Sequence, residues 1–456
     1  MKQPRLTYLF LTFLLALLSA SCKKDSLPAP AAEEEESGSG MYVSVVVNTG
    51  GSNLSRVPTP GEEGDGPQAG VGEENEVHDL NVFFFQGEVD NGTRLGINSA
   101  DAASIEVECL YFAEEELQYL GRNGYDAVYS VTKEVSAETN LQIGETYDVL
   151  VVANYGREIT LSETINSLAD LRDITHHAMS EEADGHHFLM SSAGPETNPI
   201  TIEASNSEYT PSTVSVNVER VAARVDIHLE ENGEYVPIDY PNDKAKITGM
   251  TLINVYNKES YVFKHVSEGE ELSQIIYLGN ENTGQNGEAV NYVVDPQTKD
   301  ANKPAGNYDN YFKNLDLTSY SYWSLPDETT AISSVDKAGT EYFLLGYVQE
   351  NVMPKSYTAT EEDRQKYCTG IVFRVEYTNN TTWGQDDPIK STFYKTYWIR
   401  HADDDNPNDT GIMEYGIVRN NIYQVDVKSI SGREKDLDIT VKTKDWLHKQ
   451  GSITWS

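Results

Sequence analysis

Short apolar-rich runs recur along most of the chain, several of them alternating apolar and polar residues at every second position. MYVSVVVN, DLNVFFFQ, TYDVLVVAN, VSVNVERVAARVDIHL, ITGMTLINVYN, EYFLLGYVQE, CTGIVFRVEYT and SITWS are rich in Val, Ile, Tyr or Phe. Gly, Asn, Asp and Pro clusters separate them, the mark of β-strands joined by turns. In the first run Met41, Val43, Val45 and Val47 share one face and Tyr42, Ser44, Val46 and Asn48 the other, so the first face must be buried. The C-terminus repeats this pattern: Leu437, Ile439 and Val441 alternate with Asp438, Thr440 and Lys442, and Ile453 and Trp455 share a face near the end. Only SETINSLADLRDITHHAMS shows helical spacing, with Ile165, Leu168 and Leu171 on one side and Ser162 as its cap. The pattern predicts a mainly β protein of two antiparallel β-sandwich domains with small helical insertions.

Before the first strand the pattern changes. Lys2 and Arg5 precede the apolar stretch Leu6 to Leu18, and SASC follows, which reads as an export signal closed by Cys22. Small residues before a cysteine resemble a lipobox, although Ser19 stands where leucine is more usual. The alternative is an ordinary signal peptidase site beside an incidental cysteine, and both readings export the chain. Residues 23–40 are rich in Pro, Ala, Glu, Ser and Gly without apolar periodicity and read as a flexible tether. The rest is longer than one core sustains, and the reading is an N-terminal sandwich over 41–215 and a C-terminal one over 216–456.

Charge and chemistry narrow the function classes. With 34 basic and 73 acidic residues the formal charge is −39, which argues against nucleic acid and against anionic lipid as a partner of the protein surface. Besides Cys22 only Cys109 and Cys368 occur, readable as a disulfide or, preferably, as two buried thiols. Adjacent histidines in each of the pairs His176 and His177, and His186 and His187, point to different sides and cannot chelate one ion together. One from each pair could reach a shared zinc, yet no third ligand is identifiable. The acidic segment His401 to Gly411 could bind calcium loosely, but it lacks the glycine turn and distant glutamate of an EF-hand and reads as a solvated loop. Nucleophile-elbow, zincin and P-loop motifs are absent from the sequence, and no enzyme is expected.

The order of several blocks carries a resemblance. ENEVHDLNVFFFQG, TYDVLVVAN, HFLMSS, ERVAARVDI, YVQEN and YGIVRNNIYQVDVKSISG, followed by VKTKDW, are similar to the fimbrillin family, the lipoprotein-precursor major subunits of Bacteroidia-type (type V) pili. The resemblance implies transthyretin-like sandwiches and no cofactor. It also implies a maturation route. Family precursors are lipid-anchored in the outer membrane and cut, by an arginine-specific protease, after an arginine in the loop following the first strand. Loss of that strand opens a groove that the C-terminal strand of another subunit fills.

Carried onto this chain, the resemblance implies acylation at Cys22, cleavage between Arg56 and Val57, removal of the strand bearing Met41, Val43, Val45 and Val47, and a donor strand bearing Leu437, Ile439, Val441, Ile453 and Trp455. Arg56 is the only basic residue between Lys24 and Arg94. The implied partners are other copies of the chain, anchor and tip subunits, the protease and a surface receptor; the mature protein would form a cell-surface fimbrium. An anchor or tip component, or a surface glycan-binding lipoprotein, is the alternative. An anchor would keep its lipid and a tip would have no donor strand, so the patterned C-terminus favours a shaft subunit.

Overall fold

The computed structural model describes residues 41–445 apart from 50–69, 71, 124–125, 137–138, 163–164, 183–184, 194–196, 205, 269–274, 278–290, 297–306, 328–329, 336–338, 353–359, 381–387, 401–413 and 432–436; residues 1–40 and 446–456 are also outside this set. The protein is mainly β. Its first group of principal strands is β1 (Met41–Asn48), β2 (Leu80–Phe85), β3 (Val107–Phe112), β4 (Gln118–Asn123), β5 (Asp126–Val135), β6 (Thr146–Ala153), β7 (Met190–Ser192), β8 (Pro199–Thr201) and β9 (Ser212–Arg220). The second is β10 (Ala222–Leu229), β11 (Glu234–Tyr235), β12 (Lys244–Ile253), β13 (Ile332–Val335), β14 (Glu341–Gln349), β15 (Gly370–Asn379), β16 (Ile389–Trp398), β17 (Asn421–Ile430) and β18 (Leu437–Asp445).

The first group forms one nine-stranded sheet in the order β3-β2-β6-β7-β9-β1-β5-β4, with β8 also paired to β6. This sheet curls over itself, because Val43, Val45 and Val47 of β1 share a core with Leu80, Val82 and Phe84 of β2 and Val149 and Val151 of β6. The opposite faces of β2 and β6, carrying Phe83, Phe85, Leu150 and Val152, pack in a second core with Leu168, Leu171, Val262, Phe263 and Ile422. Burial on both faces explains why LNVFFF and TYDVLVVA read as continuous apolar runs.

The chain leaves β9 at Arg220 and enters β10 at Ala222. From there it builds a five-stranded sheet, β13-β14-β10-β17-β18, facing a four-stranded one, β11-β12-β15-β16. Their shared core holds Val225, Ile227, Tyr423 and Val425 from one side and Ile247, Met250, Phe373 and Val375 from the other. Alternation along β15 places Phe373 and Val375 inward, and a β-bulge between Ile247 and Gly249 of β12 returns Met250 to the face of Ile247.

Most neighbours are antiparallel. Among the described residues two pairs are parallel: β1 with β9, and β10 with β17. A parallel pair requires a long crossover, and each of these joins an early strand to a late one. The helix expected from Ser162 onwards is shorter, α1 (Leu168–Arg172), and its cap is Ser167, whose side chain accepts the Asp170 N–H. Ser162 instead pairs with Ile165 in a bridge, and Thr175–His176 forms a short strand with Ser260–Tyr261. A second helix, α2 (Glu361–Tyr367), is capped by Thr360. The terminal run SITWS lies outside the described residues.

Candidate functional site

The first strand occupies the middle of its sheet. It runs parallel to β9, from Val43 opposite Ser212 to Asn48 opposite Asn217, and antiparallel to β5, from Met41 opposite Val135 to Asn48 opposite Val128. Val43, Val45 and Val47 are wholly buried, and Met41 packs at the margin of the same core. The outward face is held as well. Thr132 Oγ1 hydrogen-bonds Ser44 Oγ at 3.1 Å, and Asn48 Nδ2 donates to Ser215 Oγ at 3.1 Å.

Side-chain amide and hydroxyl groups close both ends. Asn206 Oδ1 accepts the Tyr42 N–H at 3.1 Å while its Nδ2 donates to the Tyr42 carbonyl at 2.8 Å. At the other end Thr49 Oγ1 accepts the Ala127 N–H at 3.2 Å. The strand continues to the rest of the fold only through residues 50–69, a segment outside the described residues that contains Arg56 and Val57.

The chain resumes in a buried polar junction that sequence reasoning missed. Glu74 is wholly buried, and its carboxylate accepts from Arg224 Nη1 at 2.8 Å and from the Tyr347 hydroxyl at 2.7 Å. Arg224 Nη2 also reaches Asp226 Oδ2 at 3.0 Å, which Ser334 Oγ donates to at 2.7 Å. Arg220 grips the same segment, donating from Nε to the Glu74 carbonyl at 2.7 Å and from Nη2 to Asn75 Oδ1. Nearby, Arg419 pairs with Glu350 at 2.8 Å and donates to the Val262 and Tyr261 carbonyls. Burial pushes the Tyr347 phenol well above its ordinary range, and the Glu74 carboxylate adds to the shift. Arg220, Arg224 and Asp226 stand in the strands β9 and β10, Glu74 in the short 3-10 turn Gly72–Asn75, and Glu350 and Arg419 just outside strands.

Leu437, Ile439 and Val441 lie on β18, the edge strand of the five-stranded sheet, opposite Ile430, Val427 and Val425 of β17. Ile453, Trp455 and Cys22 are outside the described residues, as is the acidic segment 401–411. The histidine pairs do not converge. His176 packs on Tyr155 at a centroid distance of 4.2 Å, His187 stacks on His78 at 3.8 Å, and His186 meets Tyr347 edge-on at 5.3 Å. Among the described residues no group of three or more His, Cys, Asp or Glu is placed to hold a metal ion. Neither Cys109 nor Cys368 is in a disulfide; burial, then Glu158 and Glu108, push the Cys109 thiol up to about 12.

Residues 389–445, spanning β16 to β18, match the family model for major fimbrial subunit protein type IV, fimbrillin, C-terminal. No curated protein matches the chain. Among solved structures, a candidate cell adhesion protein from Parabacteroides distasonis aligns with a TM-score of 0.45 and 13% identity, over 89% of this chain and 100% of its own. A fimbrilin (FimA) from Porphyromonas gingivalis W83 aligns at 0.33 and 13%, over 91% and 100% respectively. The tip fimbrial protein Mfa3 from Porphyromonas gingivalis, with a C-terminal truncation, aligns at 0.35 and 11%, over 89% and 100%. Over β16 to β18 the chain is therefore similar to the C-terminal part of fimbrillin-type major fimbrial subunits.

Proposed function

We propose that this subunit builds the shaft of a fimbria by exchanging strands with its neighbours. The observation that carries the reading is the position of β1, which is central in its sheet, buried on one face and joined onward only through residues 50–69. In this reading the precursor is exported, acylated at Cys22 and cut after Arg56, so that the mature chain begins at Val57. The cut leaves β1 held by non-covalent contacts alone.

Its four inward side chains contribute roughly 1.5 to 3 kcal/mol each by burial, a sum comparable with the whole stability of a domain. Departure of β1 therefore leaves a metastable N-terminal sandwich, within the proposed limits 41–215, whose β9 and β5 edges both face one gap. An incoming strand pairs with both edges. The proposed donor is β18, continued towards Ile453 and Trp455, from the C-terminal domain, 216–456, of another copy. Among the described residues β18 has a single ladder, with β17; in the gap it would have two. Because each copy gives to one neighbour and receives from another, the contact propagates as a filament.

The buried junction supports the same reading, since Glu74 and Asn75 anchor the chain just beyond the proposed cut and keep strand loss from spreading. The test is Arg56→Ala. The variant is expected to reach the surface, keep Met41–Asn48 and remain unpolymerised. Normal filaments of that variant that retain Met41–Asn48 would sink the proposal.

A further inference from the structure

We infer that the Asn206 carboxamide is a backbone pin, indifferent to side-chain sequence, for the end of whichever strand lies between β9 and β5; this rests on the strand-exchange reading above and deepens it. The parallel ladder begins with Val43 opposite Ser212, so Tyr42 lies level with Pro211. Proline has no N–H, and the ladder cannot continue past it. Asn206 takes over at that level. It supplies an acceptor to the Tyr42 N–H and a donor to the Tyr42 carbonyl, and it is nearly fully buried. Those bonds touch backbone only, so the pin holds the end of a strand without reading its sequence.

The pin is built independently of β1. Asn206 Nδ2 also donates to Ser212 Oγ at 3.2 Å, and that same oxygen accepts the Glu203 N–H at 2.9 Å. The following turn is closed by reciprocal backbone bonds between Ser207 and Thr210 and by a 2.9 Å contact between their hydroxyls. When β1 leaves, the carboxamide keeps its Ser212 contact while losing the two Tyr42 bonds. A vacated amide of this kind penalises any register that fails to place a backbone N–H and carbonyl against it. A strand shifted by two residues presents the same alternation and an equivalent backbone N–H and carbonyl, so the pin disfavours strands that stop short of it and is indifferent between such registers.

The experiment uses the full chain cut at Arg56 and synthetic peptides of Met41–Asn48 sequence. One peptide has the amide between Met41 and Tyr42 replaced by an ester, which deletes the N–H received by Asn206. On the wild-type chain the ester peptide should be retained about tenfold less well than the amide, the effect of leaving one buried acceptor unmet. On Asn206→Ala the difference should fall below about twofold.

Equal retention of ester and amide by wild type overturns the pin whether or not the variant folds. Failure of every peptide, the native one included, to re-enter the cut wild-type chain would instead overturn the strand-exchange reading on which the pin rests.

Discussion

Glu74, Arg224 and Asp226 have no exposed side-chain surface, so each charge depends on the others for compensation. Replacing Arg224 with Met removes the cation and leaves two carboxylates buried, and the variant should lose about 3 to 5 kcal/mol of stability in urea unfolding. An unchanged midpoint would show that the junction is not a stabilising unit. This cluster was hidden from sequence reading because charged residues are normally exposed. A usable signal was nonetheless present: Arg220 and Arg224 stand among Val and Ala within strand blocks, where a solvated charge is out of place. Cys109 carries a further residue-scale expectation. With its pKa raised to about 12, thiolate is scarce at neutral pH and grows tenfold per pH unit without levelling near the ordinary thiol value. Alkylation of the native protein at pH 8 should therefore run about three orders of magnitude slower than that of a free thiol, and a rate plateau near pH 9 would contradict the burial.

Strands were legible because period-two alternation is a local property; their partners were not. Val43, Val45 and Val47 announce a buried face in sequence, but nothing near them specifies a parallel neighbour beginning at Ser212. The overlong helix has the same cause in reverse. Leu168 and Leu171 do form a helical face, while the Ser162–Ile165 bridge and the Thr175–His176 strand are fixed by long-range pairing that outweighs local spacing. For β18 the edge position makes a clear expectation. Truncation after Gly432 removes one ladder, while β17 keeps its other ladder to β10, so the monomer should fold and show native near-ultraviolet dichroism. It should not polymerise after cleavage at Arg56. Heat-resistant ladders on a denaturing gel equal to those of wild type would mean that subunits join through another surface, and an unfolded monomer would mean that β18 is indispensable to its own sheet.

Across the whole molecule the two sandwich systems share a device: an early strand lies parallel to a late one, β1 beside β9 and β10 beside β17. Only the first of these early strands is joined onward through a segment with a candidate cut. Between the described β1 and the junction at Glu74, the chain has Arg56 as its one basic residue. Upstream, Cys22→Ala should abolish incorporation of labelled fatty acid, and undiminished labelling would refute acylation at that position. The central claim is that β1 is absent from the assembled filament and another copy's strand stands in its place. N-terminal sequencing and peptide mass mapping of filaments sheared from the cell surface test this most directly. The account predicts a chain beginning at Val57 with no peptide covering Met41–Asn48; filaments in which every subunit still contains Met41–Asn48 would contradict it.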